Sequence, residues 1–325
     1  MNWLPAFKKS PELNQQEDAI GVAIHQDRVN WIAFRREDGS IRIASHGSVP
    51  LDRGAIAHGE LVNPAMLIRA LSVVRDVVGD RAVHVSFPSD HSSLFTLHIP
   101  SGIPLEQVHN MIEYEMETRL PGRSFADIAI QYEVLTDSEE EGKELAVIAY
   151  PHHVEAAYAH AFEEAGIRVA SFEPTVRSVS RALFSGTEDD ALHAVADIGP
   201  EHTQLYVVKN GIPVMLSHIG HGDAKVEGVA EDAARRLRQW DARRDSHNTR
   251  ITPIGRVHIV GSHVHHPDFV DFGTHLGKGM RVATNHGNVW NRLYSFDDYI
   301  PPIDRVSSSE YAAAIGIALR DLLGE

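Results

Sequence analysis

One order of strands and helices occurs twice in this chain, and that repetition limits the available folds more than any single motif. Ala19–Ile24 and Arg28–Arg35 are β-rich runs separated by His25-Gln26-Asp27, and Ile41–Val49 is a third after the turn at Asp38-Gly39. Asn63-Pro64 then opens a helix, with Asn63 as N-cap and Pro64 at the first helical position. Its apolar residues Leu67, Leu71, Val74 and Val78 recur at helical spacing, Gly79-Asp80 stops it, and Ala82–Phe87 is a strand ending at Pro88. The second half follows the same plan. His193–Ile198, Gln204–Val208 and Ile212–Ile219 are three strands, Val226–Trp240 is a long helix, and Arg256–Val260 is a strand ending at Gly261. The copies share little residue identity. A plan repeated in this way implies two α/β lobes of like architecture facing each other.

Ala194–Gly222 is the most informative stretch of the second copy. Asp197-Ile198-Gly199 ends an apolar run, and Asn210-Gly211 suits the positive backbone angles of a type I′ hairpin. A carboxylate at a strand end, beside a glycine turn with free N–H groups, can help organise a phosphate. An ordinary hairpin has the same pattern, so the stretch alone leaves both readings open.

Between the copies lies a βαββα unit. Leu94–Ile99 is a strand, Pro104–Leu120 a helix, and Ile128–Leu135 and Leu145–Tyr150 are strands joined through the acidic run Asp137–Glu141. Val154–Ala165 is a helix stopped by Gly166. An inserted layer of this kind is expected to bury one face of its sheet. Arg168–Phe172 and the helix Pro174–Leu183 return the chain to the first lobe, and Ser185–Asp190 is a polar link to the second. The expected division is a flexible leader over 1–18, a first lobe over 19–88 and 168–190, an inserted subdomain over 89–167 and a second lobe over 191–325. Within the second lobe, Asp241–Thr252 reads as a loop, Val282–Val306 as a long excursion, and Glu310–Leu323 as a final helix whose Gly316 allows a close backbone approach.

A formal charge of −15 argues against nucleic acid as a partner, because a phosphate backbone needs a basic surface. The absence of cysteine excludes disulfides and thiolate metal sites. No apolar run approaches the ~20 residues of a membrane span, and the start lacks a signal-peptide core, so a cytoplasmic location is expected. Trp3, Leu4 and Phe7 fit a weak contact with a membrane surface, or simply a frayed terminus. There are 21 histidines, but His263, His265, His266, His275, His218 and His221 read as surface imidazoles, and no metal site is assigned. Arg235, Arg236, Arg238, Arg243 and Arg244 form the one basic concentration, balanced by Glu231, Asp232 and Asp241. Glu113, Glu115 and Glu117 splay around a helix and make no acid–base pair. No Ser-His-Asp set or nucleophile elbow occurs, so no catalytic residue is assigned.

The central unit, with LHIPSGIPLEQVHNMIEYEMETRLP, IQYEVL and ELAVIAYPHHVEAAYAHAFEEAGIRVASFEP, resembles the actin-like type IV pilus assembly proteins of the PilM family. Ala194–Gly222 is similar to that family's second phosphate loop, Val257–Ser262 to its adenosine motif, and Ala312–Arg320 to its last glycine-containing helix. The resemblance runs from about Ala19 almost to the end, and its specificity lies in the order and spacing of motifs that are weak singly. It implies an α/β fold of two actin-like, RNase H-like lobes with the βαββα subdomain inserted. It also implies a cytoplasmic scaffold at the inner face of the cytoplasmic membrane, within the assembly platform of a type IV pilus or a related secretion system. Its partner would be the amino-terminal tail of a PilN-like inner-membrane protein, held in a groove beside the inserted subdomain. The wall of that groove would be Phe87, Leu94, Phe95, Leu97, Met111 and Tyr114, several of which also suit a plain core. Peripheral membrane contact and a homo-oligomer stay open.

Typical members bind ATP with Mg²⁺ between the lobes. The residues to carry nucleotide here would be Gly21, His25, Asp197, Gly199, Thr203, Gly220, Gly222, Gly261 and Ser262. The chain departs from that pattern. In the first phosphate loop, Ala23 replaces the family's Asp, His25 its second Gly and Asn30 its basic residue. The adenosine motif is reduced to Gly261-Ser262-His263, and Gly222 is followed almost at once by Val226–Trp240, where the family inserts a helical subdomain. A scaffold with altered or absent ATP binding is therefore the favoured expectation. A Mg-ATP-binding actin-like ATPase or nucleotide switch is the alternative.

Overall fold

Six apolar or small residues in succession, Ala19–Ile24, form β1, buried along its whole length. Burial on both faces suits the centre of a sheet covered from two sides. β1 pairs antiparallel with β2 (Arg28–Glu37), which pairs antiparallel with β3 (Ser40–Pro50). A small ribbon of β4 (Ile56–Ala57) and β5 (Glu60–Leu61) leads into α1 (Pro64–Val78). Helix α1 buries Leu67, Leu71, Val74 and Val78, and Gly79 ends it at a φ of 61°. Asn63 stands before Pro64, but its side chain makes no capping bond. β6 (Val83–Phe87) then runs parallel to β1. The computed structural model describes residues 19–37, 40–119, 124–140, 142–184, 191–245, 253–295 and 297–323. The leader 1–18, the Asp38-Gly39 turn and the link 185–190 lie outside the described residues.

The inserted unit comprises β7 (Ser93–Ile99), α2 (Leu105–Arg119), β8 (Ile128–Ser138), β9 (Gly142–Pro151) and α3 (His152–Glu164), its strands ordered β7-β9-β8. After it come β10 (Val169–Pro174) and α4 (Thr175–Phe184). The second lobe holds β11 (Leu192–Ile198), β12 (His202–Lys209), β13 (Ile212–Gly220), α5 (Val226–Asp245), β14 (Ile254–Val260), α6 (Phe272–Met280) and β15 (Ala283–His286), and the chain closes with α7 (Ala312–Leu323). The first sheet is ordered β3-β2-β1-β6-β10 and the second β13-β12-β11-β14-β15. In each, three antiparallel strands are followed by two added in parallel. This is the duplicated RNase H-like lobe of an actin-like fold. Asn210 and Gly211 adopt φ of 52° and 78°, as a type I′ turn between β12 and β13 requires. β13 ends at Gly220 and α5 starts at Val226, so residues 221–225 are the whole connection between them.

Four features differ from the sequence reading. Helix α7 does not belong to the second lobe: it lies against β1, and a Cβ on Gly21 would come within 2.0 Å of the Ala314 carbonyl oxygen. On its other side α7 crosses α4, where a Cβ on Gly316 would come within 1.7 Å of the Ser178 carbonyl oxygen. The two glycines let a helix sit directly on a strand and on a second helix. The inserted sheet is buried on both faces: Phe95, Ile99, Leu145 and Val147 pack under Val108, Ile112 and Met116 of α2. Behind them Ile148 and Tyr150 join Tyr158 and Phe162 of α3 in the first lobe's core. Helix α5 continues to Asp245, inside the stretch read as a loop. Finally, Val282–Val306 is not a plain excursion, because β15 pairs parallel with β14 and the fully buried Trp290 donates its Nε1–H to the Ile303 carbonyl at 3.0 Å.

A buried ion pair pins α4. Arg181, 5% exposed, meets Glu173, 3% exposed, at 2.6 Å and 3.1 Å through two guanidinium nitrogens. Ser178 donates to the same carboxylate at 2.6 Å, and Arg181 also donates to the Gly316 carbonyl at 3.1 Å. The α4–α7 contact is thus tied by charge as well as by shape.

Candidate functional site

In open α/β sheets, ligand sites form at the carboxyl ends of the parallel strands. Here β1 ends just before His25, β6 just before Pro88, β10 just before Thr175 and β11 just before Gly199, and these ends face each other across an interlobe cleft. The first lobe and the start of the insertion contribute Ile24, His25, Gln26, Pro88, Asp90 and Thr175; the second lobe contributes Asp197, Gly199, Pro200, His202, Gln204 and Ser262. The enclosed free volume is about 40 Å³. At roughly 10–15 Å³ for one water, that enclosed part holds a few waters, and the cleft with its part open to solvent spans about 460 Å³.

Four of the residues named for nucleotide, His25, Asp197, Gly199 and Ser262, do line this cleft. Gly261 lies directly beneath: its φ is 112°, and a Cβ there would come within 2.4 Å of Asp197 Oδ1. The others are elsewhere. Gly21 is used up by α7. Thr203 is fully buried, with its hydroxyl 2.9 Å from His221 Nε2, while Gly220 and Gly222 sit exposed on either side of that histidine. The His221 backbone N–H donates to the Glu201 carbonyl at 2.8 Å. The turn that would cradle phosphate is therefore closed on its own side chain.

The electrostatics of the cleft disfavour an anion. Asp197 opens partly into the cleft; burial first, then the nearby charge of Asp90, pushes its pKa up to about 7. Burial lowers His25 to about 4 against the opposing pull of Asp27, and burial likewise lowers His221 to about 4. At neutral pH both imidazoles are uncharged. The lining residues include two carboxylates and neither lysine nor arginine. Phosphoryl sites depend on cations and N–H donors aimed at the phosphate oxygens. The side chains lining this cleft supply neither lysine nor arginine for that purpose. Among the described residues, no three His, Asp or Glu side chains converge as metal ligands.

Sequence reasoning missed the side chains that span the cleft. Asp90 stands 3.1 Å from His202 Nε2 through Oδ1 and accepts from Gln204 Nε2 at 3.3 Å through Oδ2. A weak signal existed: His202 and Gln204 are alternate polar positions on an otherwise apolar strand, and Asp90 follows a strand that ends in Pro88. At the cleft's side, Arg28 bridges Asp27 at 2.9 Å and Glu310 at 3.2 Å, and the Asn30 amide donates to the Glu310 carbonyl at 2.9 Å.

The six groove residues do not form one wall. Phe87 is 1% exposed, packed edge-on to Tyr150 with ring centres 5.2 Å apart, and Phe95 is 5% exposed beneath α2. Both are core. Leu94 faces the first lobe's core, whereas Leu97 and Met111 lie partly buried at the α2 cluster on the opposite face. Strand alternation explains the split, since neighbouring residues of β7 point to opposite faces. Tyr114, at 72% exposed, is the one aromatic anchor of the six open to solvent.

The family model of the type IV pilus assembly protein PilM matches residues 21–230, more than half of the chain. The structure of a PilM–PilN type IV pilus biogenesis complex superposes with a TM-score of 0.74 at 17% identity, covering 94% of this chain and 98% of that one. The ethanolamine utilization protein EutJ from Carboxydothermus hydrogenoformans superposes at 0.50 with 12% identity, covering 96% of this chain and 91% of its own. Identities this low concern the fold alone. No curated protein sequence matches the chain.

Proposed function

The chain belongs to the PilM family of type IV pilus assembly proteins, and from that membership we propose that it is a non-catalytic scaffold of the pilus assembly platform. It holds the amino-terminal tail of a PilN-like inner-membrane partner at the cytoplasmic face of the membrane. No described helix is long and apolar enough to cross a membrane, so the reading requires a partner that does. The observation that carries the scaffold reading is the cleft, whose lining has two carboxylates, no cation and about 40 Å³ of enclosed space. The Thr203–His221 contact supports it from the other side of the turn. For the tail peptide, the candidate anchors are Met111 and Tyr114 on α2 with Leu97 below, and Phe95 supports that face from within the core.

Calorimetry tests both halves. A peptide of the PilN-tail type is expected to bind, and Mg-ATP to give no heat of binding at micromolar concentrations. A second reading, a nucleotide switch, is favoured by the convergence of His25, Asp197, Gly199 and Ser262 on one cleft. Micromolar Mg-ATP binding that disappears in Asp197→Ala would establish that reading and overturn ours. Absence of peptide binding would remove the partner assignment separately.

A further inference from the structure

Asp90 sits where three parts of the molecule meet. It lies on the passage from β6 to the inserted subdomain, and both of its oxygens are engaged by side chains of β12 in the second lobe. Its side chain is packed closely as well: a Cβ on Gly59, in the β4–β5 turn, would come within 2.6 Å of the Asp90 Cβ. Every element packed around it offers a titratable or polar group. From β12 come His202 and Gln204, from β13 His218, from β11 Asp197 and from α3 Tyr158. His91 is its chain neighbour and faces Glu60 at 3.5 Å, while His218 in turn feels Arg236 of α5. The rings of His202 and His218 are 6.0 Å apart. Such a group of imidazoles around a carboxylate invites a metal, yet no three of the described ligand types converge on one point. The cluster is suited to protons.

We propose that Asp90 with His202 and Gln204 forms a proton-operated latch that sets how tightly the two lobes close, with the closed form favoured below neutrality. An imidazole gains its charge between pH 8 and pH 5. A protonated His202 attracts Asp90 across the cleft; a neutral one keeps only a hydrogen bond. Asp197, whose burial beside Asp90 raises its pKa to about 7, acts in the same direction. It is neutral at low pH and becomes a second negative charge facing Asp90 as pH rises. Burial holds His218 below the usual histidine range, so it resists charging and does not cancel the attraction. The latch also fixes the inserted subdomain against the second lobe, because Asp90 begins that subdomain and Lys209 of β12 reaches Glu144 of β9 at 3.1 Å. Lobe closure in this chain is then set by its own side chains and by pH. That role goes beyond the scaffold reading and does not depend on a partner peptide.

The chain has no cysteine, so two introduced thiols take spin labels without competition. Exposed positions, one in each lobe, serve: Arg53→Cys in the first lobe and Asp223→Cys after β13 in the second. The interlabel distance in the full chain is expected to be short and narrow at pH 6 and to lengthen and broaden at pH 8.5. Asp90→Asn keeps the shape of the side chain and removes its charge, so it is expected to abolish the pH response. His202→Gln keeps a hydrogen-bond donor and removes the ion pair, so it is expected to leave only the smaller pH response that Asp197 makes against Asp90. Far-UV circular dichroism and unfolding midpoints confirm that each variant is folded before its distance is read. An unchanged distance between pH 6 and 8.5, or a full pH response retained in folded Asp90→Asn, overturns the latch.

Discussion

Replacing Asp197 by Asn isolates the energetic cost of a carboxylate that the cleft does not compensate. Burial and Asp90 raise its pKa from 3.8 to about 7. The folded state therefore holds this proton more tightly than the unfolded chain does. Stability from this group is present in full below pH 3.8, falls as pH rises, and is lost by about pH 7. At 1.36 kcal/mol per pKa unit the full cost above pH 7 is about 4 kcal/mol. Partial exposure of the side chain to the cleft screens it, and about 2 kcal/mol is the magnitude to expect. Asp197→Asn, of nearly the same shape and always neutral, should be more stable than the native chain by about 2 kcal/mol at pH 8 and by less than half of that, about 0.8 kcal/mol, at pH 5. Urea unfolding at pH 5, 6.5 and 8 measures this, and an unchanged denaturant slope shows that the unfolded state is comparable. An Asn variant that is no more stable at pH 8, or whose gain is equal at all three values, refutes the reasoning. It would mean that Asp197 is ionised without penalty, with a compensating cation in the cleft.

Further substitutions test other parts of the account. Gly316→Ala places a methyl 1.7 Å from the Ser178 carbonyl oxygen, and α4 and α7 must separate to admit it. A loss of about 3 kcal/mol or a failure to fold is expected, and an unchanged melting temperature would count against the packing. Arg181→Ala leaves the Glu173 carboxylate buried without its guanidinium, which should cost about 3–5 kcal/mol in urea unfolding; a change under ~0.5 kcal/mol would show that the pair is not closed in solution. Tyr114→Ala removes an exposed ring from α2 and should leave stability within ~0.5 kcal/mol. It should weaken binding of a PilN-type tail peptide by about tenfold, a loss of roughly 1.4 kcal/mol. Equal affinity would move the peptide to another surface.

Local chemistry carried far in this chain. Asn210-Gly211 adopts positive φ at both residues because asparagine and glycine accept it, and the reading needed only those two residues. The apolar run Ala19–Ile24 could be recognised as an interior strand for a similar reason: no position along it tolerates water. The site was legible only in part. Asp197 at the end of β11 faces the cleft because strand ends face it in this architecture, so its position followed from the element order. Thr203, six residues on, carries an equally suitable hydroxyl, yet it faces His221 across the paired ends of β12 and β13. Strand pairing decided that, and nothing local to Thr203 records it. Leu94 and Phe95 illustrate the same limit: both are apolar and adjacent, but the sheet sends one to the first lobe's core and the other to α2.

By itself the sequence determined the inventory and the plan. Two rounds of strands, helix and strand with an insertion between them, and no thiols, follow from residue identity and short-range spacing. Contacts between residues far apart in the chain decided the rest. Helix α7 returns to the first lobe because Gly21 and Gly316 let its backbone approach strand and helix closely. Asp90 meets His202 and Gln204 only after two lobes fold and close. The protonation of Asp197 depends on how much protein surrounds it and on the charge opposite. Desolvation and Coulomb forces act through space and not along the chain, so these properties exist only in the tertiary structure.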